Sequence, residues 1–300
     1  MVATAGVASA SVAFVAPTSN GGSAITGYTA TSSPGSFTAM GTTSPINVTG
    51  LTNGTAYTFT VVATNAIGNS VASAASSAVT PAPAFIPCPS TIDVYNVVTI
   101  GTQCWTKENL KVTKYNNNDI IPDSSNSTWG TSAIGARTDY VGVSGYVGTY
   151  GYLYNWYAAT DSRGICPSGW HVPTDSEWNK LVKFIDSGAD TSSTTSTQTQ
   201  STTAGGEMKT AGTNYWNFPS TGTNASGFSA KGGGFRRSDV GNPLHGMVDN
   251  LNMNGFFWST TTYDLNNQEA LFRLLIFAWD GVDRTRTEKR YGASIRCVKD

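Results

Sequence analysis

The feature that most constrains this chain is the placement of its charged residues. Residues 1–87 contain no Lys, Arg, Asp, Glu or His, and all such side chains lie beyond them. A break of this kind marks a domain boundary, and 300 residues is long enough for two domains. We therefore predict domains at residues 1–82 and 88–300. Residues 83–87 form the linker, stiffened by the Pro-Ala-Pro-Ala stretch that begins at Pro81.

The composition argues against two classes of protein. Charged residues are 12% of the chain and its net charge is −1. This charge gives no electrostatic reason to expect nucleic-acid binding. No run of roughly 18 apolar residues occurs, and no membrane span is predicted. The N-terminal MVATAGVASASVAF lacks the basic leader of a signal peptide. The chain is then either cut from a longer protein or exported without a signal, and we favour the first, because the first domain begins inside its first strand.

The first domain has the pattern of a β-sandwich. Short strands rich in Thr and Val alternate polar and apolar residues, separated by turn signals such as Asn53-Gly54. The residues GLTNGTAYTFTVVATNAIGNS also resemble a fibronectin type III domain, an all-β immunoglobulin-like sandwich. The resemblance makes Leu51 the start of a corner and Tyr57 its buried tyrosine, with Phe14 where that family usually has Trp. The domain is expected to act as a spacer.

The second domain contains one clear helix start. Thr174 and Glu177 have the spacing of a capping box, so a helix should begin there. Its buried face is predicted to carry Trp178, Leu181, Val182 and Ile185. Residues 186–206 follow as a polar, low-complexity stretch, for which we expect a mobile surface loop. The glycines at 232–234 are expected to let two backbones pass closely.

The segment 255–300 is the centre of the second domain. Residues 270–279 are apolar on both alternating faces, as in a strand that is buried on both sides or shows one face to a partner. We assign to the scaffold side Leu271, Arg273, Leu275 and Phe277. The other side carries Phe272, Leu274, Ile276 and Ala278. These side chains either display a binding surface or fill a second layer of core.

Six motifs, in order, carry a family resemblance: IGTQCWTKENL, YGYLYNWYAA, CPSGWHVPTDSEW, GFSAKGGGFR, FFWSTT and ASIRCVKD. Together they resemble the Fibrobacter succinogenes major paralogous domain, a module of bacterial surface and phage proteins. The resemblance covers about residues 88–300. It implies an α+β domain similar to the C-type lectin-like fold and to the formylglycine-generating-enzyme superfamily. In such a domain a small twisted sheet displays a variable face.

The four cysteines fit a domain of that kind. Four cysteines allow three pairings. The most economical choice joins Cys88 to Cys104 through a local hairpin and Cys166 to Cys297. Such bridges imply an oxidising, extracytoplasmic setting. No Cys-x-x-Cys pair occurs, and the two histidines, His171 and His245, lie far apart in sequence, so we expect neither metal nor cofactor.

Catalysis is not expected. The formylglycine-generating relatives use a pair of redox-active cysteines near the end of the domain, where this chain has only Cys297. The carboxylate pairs Asp280 with Asp283 and Glu269 with Asp264 could act as acid and base, but neighbouring arginines favour ordinary ion pairing. Neither the calcium-binding loop nor the Trp-Asn-Asp strand of sugar-binding C-type lectins occurs in the sequence.

A binding surface is expected around residues 272–287 instead. The resembling family usually carries Tyr, Asn and Ser here, and diversity-generating retroelements mutate such codons in related lectin-fold proteins. The residues of this chain would then be a selected variant of a variable surface, with the Trp and Arg anchors typical of interfaces. The predicted ligand-binding residues are Phe272, Leu274, Ile276, Ala278, Trp279, Asp280, Gly281, Asp283, Arg284, Thr285, Arg286 and Thr287.

These observations predict a non-catalytic protein that binds a cell-surface protein or glycan receptor. Its lectin-fold surface would lie at the tip of a phage tail fibre or bacterial surface protein, outside the cell and beside other domains or subunits. Trimers are common among fibre tips, so a homotrimer fits, although no heptad repeat demands one. The alternatives are a divergent formylglycine-generating-type enzyme and a purely structural stalk or coat component.

Overall fold

The structure is a computed structural model that describes residues 1–82, 87–123, 129, 133–140, 145–192, 197–238, 248–263 and 267–300. The chain divides into two compact units, Met1–Ile86 and Pro87–Asp300. Each unit has a hydrophobic core of its own. Of the predicted linker 83–87, only Pro87 belongs to the described residues.

The N-terminal unit contains two three-stranded antiparallel sheets. Its strands are β1 (Val2–Ala5), β2 (Ser9–Ala13), β3 (Ile25–Ser33), β4 (Thr38–Gly41), β5 (Ile46–Thr49) and β6 (Thr58–Asn65). One sheet has the order β1-β2-β5 and the other β4-β3-β6. Alternate residues point inwards, and the core contains Ala10, Val12, Ala30, Val48 and Phe59.

The corner predicted at Leu51 and Tyr57 is present. The Thr52 backbone N–H donates to the Tyr57 hydroxyl oxygen over 3.1 Å, and both Leu51 and Tyr57 are buried. This bond ties the chain entering β6 to the residues upstream of it, as in a tyrosine corner. Phe14 is half-buried, with its ring centroid 4.7 Å from that of Tyr28.

The C-terminal unit is mostly β-structure with four short helices among its described residues. Its strands are β7 (Thr91–Ile92), β8 (Tyr95–Ile100), β9 (Gln103–Thr106), β10 (Arg137–Thr138), β11 (Leu153–Tyr154), β12 (Trp170–His171), β13 (Gln198–Ser201), β14 (Gly233–Arg236), β15 (Val248–Leu251), β16 (Asn254–Thr262), β17 (Glu269–Ile276), β18 (Val282–Glu288) and β19 (Val298–Lys299). Its helices are α1 (Tyr146–Tyr150), α2 (Trp156–Ala159), α3 (Asp175–Ile185) and α4 (Ala204–Met208).

Two sheets organise this unit. The larger has the strand order β13-β18-β17-β16-β14-β15, and the smaller has the order β12-β19-β9-β8-β7. In the larger sheet β14 and β16 are parallel, whereas β16, β17 and β18 are antiparallel neighbours. Because successive side chains point to opposite faces, Trp258 and Phe272 enter one core while Phe257 and Leu275 enter another.

Helix α3 begins at the predicted capping box. The Thr174 hydroxyl accepts from the Glu177 backbone N–H, and the Glu177 carboxylate accepts from the Thr174 backbone N–H. On the helix face that meets the sheet, Trp178, Leu181 and Val182 are buried and Ile185 is half-buried. The helix and its inward face are therefore confirmed.

The glycine cluster allows the close backbone approach that was expected. Gly234 has a positive φ of 64°, and a Cβ atom there would lie 2.2 Å from the Asp249 carbonyl oxygen of β15. A Cβ atom on Gly232 would lie 3.0 Å from the Asn252 Cα atom. Side chains at these positions would push β14 away from the neighbouring backbone.

The polar stretch after α3 is not the mobile loop that we predicted. Gln198–Ser201 forms strand β13, which pairs with β18, and Ala204–Met208 forms α4. The Ser201 hydroxyl donates to the Asp186 carboxylate over 2.7 Å. Backbone pairing and hydroxyl bonds therefore order a segment that has little apolar area to bury. Residues 193–196 lie outside the described residues.

Both disulfides form as expected. Cys88 pairs with Cys104, and Cys166 pairs with Cys297. The first bridge joins the start of the unit to β9. The second joins the segment before β12 to the segment before β19 across 131 residues of sequence. The longer bridge therefore restrains most of the C-terminal unit in its unfolded state.

We predict a larger loss of stability from removing the longer bridge. Cys166→Ala with Cys297→Ala should lower the free energy of unfolding by about 5 kcal/mol, because a long loop is released in the unfolded chain. The matched double variant Cys88→Ala with Cys104→Ala releases a separation of 16 residues and should cost about 3 kcal/mol. Denaturant unfolding measures both. A larger loss for the shorter loop would contradict this account.

Candidate binding surface

The register of β16, β17 and β18 defines two faces of the larger sheet. Residues directly opposite each other in an antiparallel pair share a face. Phe272 lies opposite Trp258 and Thr285, and Leu274 lies opposite Phe256 and Asp283. On this side, the residues that reach or border the surface form what we call the front face: Phe256, Phe272, Leu274, Ile276, Asp283, Thr285 and Thr287. The opposite side, with Leu271, Arg273, Leu275 and Arg284, is the back face.

The back face is held to helix α3 by a buried ion cluster. Arg273 and Arg284 lie directly opposite each other on adjacent strands, both fully buried. Arg273 Nη1 lies 2.8 Å and Arg284 Nε 2.9 Å from the same oxygen, Asp175 Oδ1. Arg273 also donates from Nη2 to Asn179 Oδ1 over 2.7 Å. One carboxylate therefore compensates two like charges that would otherwise repel across the strands.

The ion cluster shifts the pKa of its carboxylate. Burial by itself raises the pKa of Asp175, but the hydrogen bond from Arg284 and the charges of Arg273 and Arg284 outweigh it and lower that pKa. Burial lowers the pKa of Arg273 to about 10, against the opposing effect of Asp175. Asp175 and Arg273 thus carry opposite charges at neutral pH, and the cluster is part of the fold. Arg284 cannot contact a partner, so its place in the predicted binding set is wrong.

The predicted apolar strand surface is only partly exposed. Phe272 is 5% exposed and belongs to the core, beside Trp258. Leu274 and Ile276 are half-buried, as are Thr285 and Thr287. The alternative of a second core layer thus holds for Phe272, although its ring still lines a surface cleft. On the scaffold side, the predicted burial of Leu271, Arg273 and Leu275 is confirmed, and Phe277 is half-buried.

Apart from the exposed Arg286, the accessible residues of the predicted set lie in the turn between β17 and β18, residues 277–281. Ala278 and Asp280 are exposed and Trp279 is half-buried. Gly281 is buried, and a Cβ atom there would lie 2.1 Å from the Trp279 ring. Gly281 therefore makes room for the indole ring instead of contacting a ligand, which corrects its predicted role.

An aromatic cleft adjoins the front face. Its walls are the rings of Phe235, Phe256, Phe272 and Tyr291, and its rim includes Arg286 and Thr287. The cleft has a volume of about 170 Å³. The Phe235 and Tyr291 rings are stacked within 8° of parallel, and the centroids of Phe235 and Phe256 are 4.7 Å apart.

Three of the four aromatic residues of the cleft were missed by the sequence analysis. Phe235, Phe256 and Tyr291 come from β14, β16 and the segment after β18, outside the predicted range 272–287. Phe256 could have been found, because its alternation with the buried Phe257 places it on the opposite face. Phe235 and Tyr291 could not, because only the tertiary fold brings them together.

The acidic residues near the front face have local partners. Asp283 Oδ1 accepts from the Thr199 hydroxyl over 2.8 Å, and burial raises the pKa of Asp283 against that bond. Glu269 lies 3.3 Å from Arg286, whose guanidinium also lies over the Tyr263 ring. This is the ion pairing that the sequence favoured over acid–base roles. Asp264 lies outside the described residues.

A second, larger cleft lies between α2 and β12. It has a volume of about 460 Å³, and its lining includes Trp156, Trp170, Asp161 and His171. The Asp161 carboxylate is bound by Arg163 at 2.8 Å. Burial lowers the pKa of His171, but its contacts with Asp300 and Glu177 outweigh this and raise it. These polar groups are already engaged, which leaves the aromatic cleft as the stronger candidate.

The structure also bears on metals and membranes. Among the described residues, no group of three or more His, Cys, Asp and Glu side chains is arranged to hold a metal ion. Within the same part of the chain, no helix has the length and apolar character needed to cross a membrane. His245 lies outside the described residues.

Comparison with known proteins identifies both units. The model of the Fibrobacter succinogenes major domain matches residues 98–299, and that of the fibronectin type III domain matches residues 2–80. The chain therefore belongs to the Fibrobacter succinogenes major domain family and carries a fibronectin type III domain before it. Both resemblances noted in the sequence are confirmed. These two domains, together with the two disulfides, indicate a surface or extracellular protein.

Other comparisons add little. No curated protein matches the chain. Among solved structures, the twitchin kinase region from C. elegans aligns with 62% of this chain and 32% of its own at 13% identity and a TM-score of 0.25. This chain spans about a third of that structure's length. A TM-score this low carries no argument about the fold.

We predict that the Asp175 carboxylate is essential to the fold of the C-terminal unit. Asp175→Asn should lower the free energy of unfolding at pH 7 by about 3–5 kcal/mol, because two buried guanidinium groups lose their counter-charge. Since the folded pKa of Asp175 is lowered, its stabilisation is present above the unfolded pKa of about 4 and is lost as pH falls through the folded pKa. The Asn variant should lack that part of the acid dependence.

The matched control is Asp161→Asn, which removes the carboxylate of a pair near the surface with Arg163. That change should cost about 1 kcal/mol or less. Urea unfolding of both variants between pH 3 and pH 8 makes the comparison. Equal losses for the two variants would show that the cluster of Asp175 has no special role.

Proposed function

We propose that this member of the Fibrobacter succinogenes major domain family is a non-catalytic binding protein. In this proposal the front face, the aromatic cleft and the turn at 277–281 together contact a protein receptor outside the cell. The aromatic cleft is the observation that carries the proposal. Four aromatic rings from separate segments surround an open space on the side of the sheet that faces away from the Asp175 cluster.

The chemistry of the surface favours a protein partner over a glycan. A volume of about 170 Å³ suits a single apolar side chain, and the half-buried Leu274 and Ile276 extend the apolar area along β17. Thr285 and Thr287 on the front face, with Arg286 at the rim of the cleft, supply polar groups around it. An apolar centre with a polar rim is the usual anatomy of a protein interface.

The local bonding of the acidic residues supports a non-catalytic role. Asp283 is bound to Thr199, and Glu269 is paired with Arg286. All four cysteines are in disulfides, whereas a formylglycine-generating-type activity would need reactive thiols. A divergent enzyme of that superfamily is therefore the weaker proposal.

The proposal keeps the expected C-type lectin-like arrangement for the C-terminal unit. The short helices packed on the larger sheet and the bridge between Cys166 and Cys297 support it. The fibronectin type III domain would act as a spacer that carries the binding unit on a fibre or surface protein. The homotrimer, the location on a phage or bacterium and diversification by a retroelement stay predictions. Absence of a reverse transcriptase and template repeat near the gene would contradict the last of these.

We predict that a charge at the centre of the front face strongly weakens peptide binding. Peptides enriched from a phage-displayed random library on the immobilised full chain should bind the Leu274→Asp variant at least about tenfold more weakly, because a carboxylate must be desolvated in an apolar contact. Biolayer interferometry with the synthetic peptides measures the change. A glycan array probed with the same protein tests the other receptor class.

The control is Val94→Asp, which places the same charge at an exposed apolar residue between β7 and β8. It should leave the affinity unchanged. Thermal unfolding of both variants checks that the fold survives. Equal peptide affinities for the wild type and Leu274→Asp, or retention of glycans with no enriched peptide, would contradict a protein-binding front face.

A further inference from the structure

An exposed aromatic residue lies in the loop at 217–222, which is hydrogen-bonded to the turn at 277–281. Phe218 is 85% exposed, although Trp216, two residues earlier, is fully buried. The Trp216 indole N–H is bonded to the Ala230 carbonyl oxygen at 3.1 Å, which fixes the start of the loop at 217–222. The Phe218 side chain is almost entirely in contact with water. Its burial therefore contributes no stability to the fold.

Three segments meet at this place. The Asn217 backbone N–H donates to the Asn252 carbonyl oxygen over 2.7 Å, and the Phe277 backbone N–H donates to the Met253 carbonyl oxygen over 2.8 Å. The Thr221 backbone N–H donates to the Phe277 carbonyl oxygen over 3.3 Å. The loop at 217–222 and the turn at 277–281 are thus joined directly and through residues 252–253. We call these three segments the tip.

A buried lysine holds the tip together. Lys209 is fully buried at the end of α4. Its ammonium lies 2.6 Å from the Thr221 hydroxyl and 2.7, 3.2 and 2.6 Å from the carbonyl oxygens of Ile276, Phe277 and Trp279. An ammonium group has three donors and prefers oxygen partners when buried. Lys209 therefore connects both loops through one charged group.

We propose that the loop at 217–222 is part of the same binding surface, with Phe218 as a contact residue and Lys209 as the positioning residue that holds this loop and the turn at 277–281 in one arrangement. The inference rests on the proposed function, because the partner is the protein receptor assigned there. It extends the surface beyond the sheet to a loop that lies about sixty residues earlier in the chain.

The composition of the tip points to an apolar pocket on a protein. Among the residues of the tip and the adjacent Ile276, Asp280 is the only side chain with a charge. Phe218, Ala278 and Met253 are exposed, and Ile276 and Trp279 are half-buried. The tip has no Lys or Arg with which to bind anionic lipid or nucleic acid. A rigid aromatic anchor loses little entropy on binding, which makes it a good hot spot.

Hydrogen exchange of the full chain tests the role of Lys209. In Lys209→Met, the amides of segments 217–222 and 276–281 should exchange at least about tenfold faster, and together, because both lose the same bonds. The control Lys183→Met removes a lysine that donates to a single carbonyl oxygen, that of Ala189, and should leave both segments unchanged. Thr221→Val removes only one acceptor of the cluster and decides the question if Lys209→Met does not fold. Faster exchange in one segment alone would overturn the coupling.

The contact role of Phe218 is tested with peptides selected on the wild-type chain. Phe218→Ser should lower the affinity for the same peptides that bind Leu274→Asp weakly. The expected loss of affinity is about tenfold, as for an aromatic hot spot. The matched variant Phe184→Ser changes another exposed phenylalanine, on α3, and should have no effect. If Leu274→Asp lowers the peptide affinity and Phe218→Ser does not, this inference is overturned and the proposed function stays intact.

Two further results distinguish failure of the proposed function from failure of this inference. If no peptide is enriched, the proposed function and the contact role of Phe218 both fail, while the exchange experiment still decides the coupling by Lys209. Binding of the wild-type chain to phosphatidylcholine vesicles that Phe218→Ser abolishes would also overturn the inference, because the tip would then insert into lipid instead of a protein pocket.

Discussion

The C-terminal unit depends on the ion cluster in which Asp175 faces both Arg273 and Arg284. Two arginines opposite each other on adjacent strands repel, and burial makes that repulsion costly. The carboxylate at the start of α3 resolves it, so the helix can dock on one side of the hairpin formed by β17 and β18. The cluster thereby fixes which side of the hairpin packs against α3. The other side is left for the front face.

The binding surface depends in a second way on Lys209, which holds the backbone at the tip. Lys209 binds oxygens of both the 217–222 loop and the turn at 277–281. These bonds involve backbone carbonyl oxygens and one hydroxyl, so the exposed side chains of the turn take no part in them. A surface built in this way can change its side chains without losing its shape. In a recognition module it is useful that the groups that hold the surface differ from the side chains that contact the partner.

Local patterns predicted local structure well, whereas burial across the fold was less predictable. The spacing of Thr174 and Glu177 was enough to locate α3, and the strand pattern with Tyr57 was enough to identify the sandwich. Alternation along β17 separated Leu274 from Leu275, but no alternation within β18 shows that Arg284 meets Asp175, 109 residues earlier in sequence. Composition misled at residues 198–206, because a polar segment can be ordered by pairing with the edge of a sheet.

The most direct test of the account is a hydrogen-exchange footprint of the full chain with a saturating selected peptide. We expect slower exchange in β18 around Thr285 and Thr287 and in the turn at 277–281, since these amides lie beside the aromatic cleft and the tip. Residues around the larger cleft at Trp156 and Trp170 should be unchanged. Protection confined to that larger cleft or to the fibronectin type III domain would contradict the assignment of the front face as the binding surface.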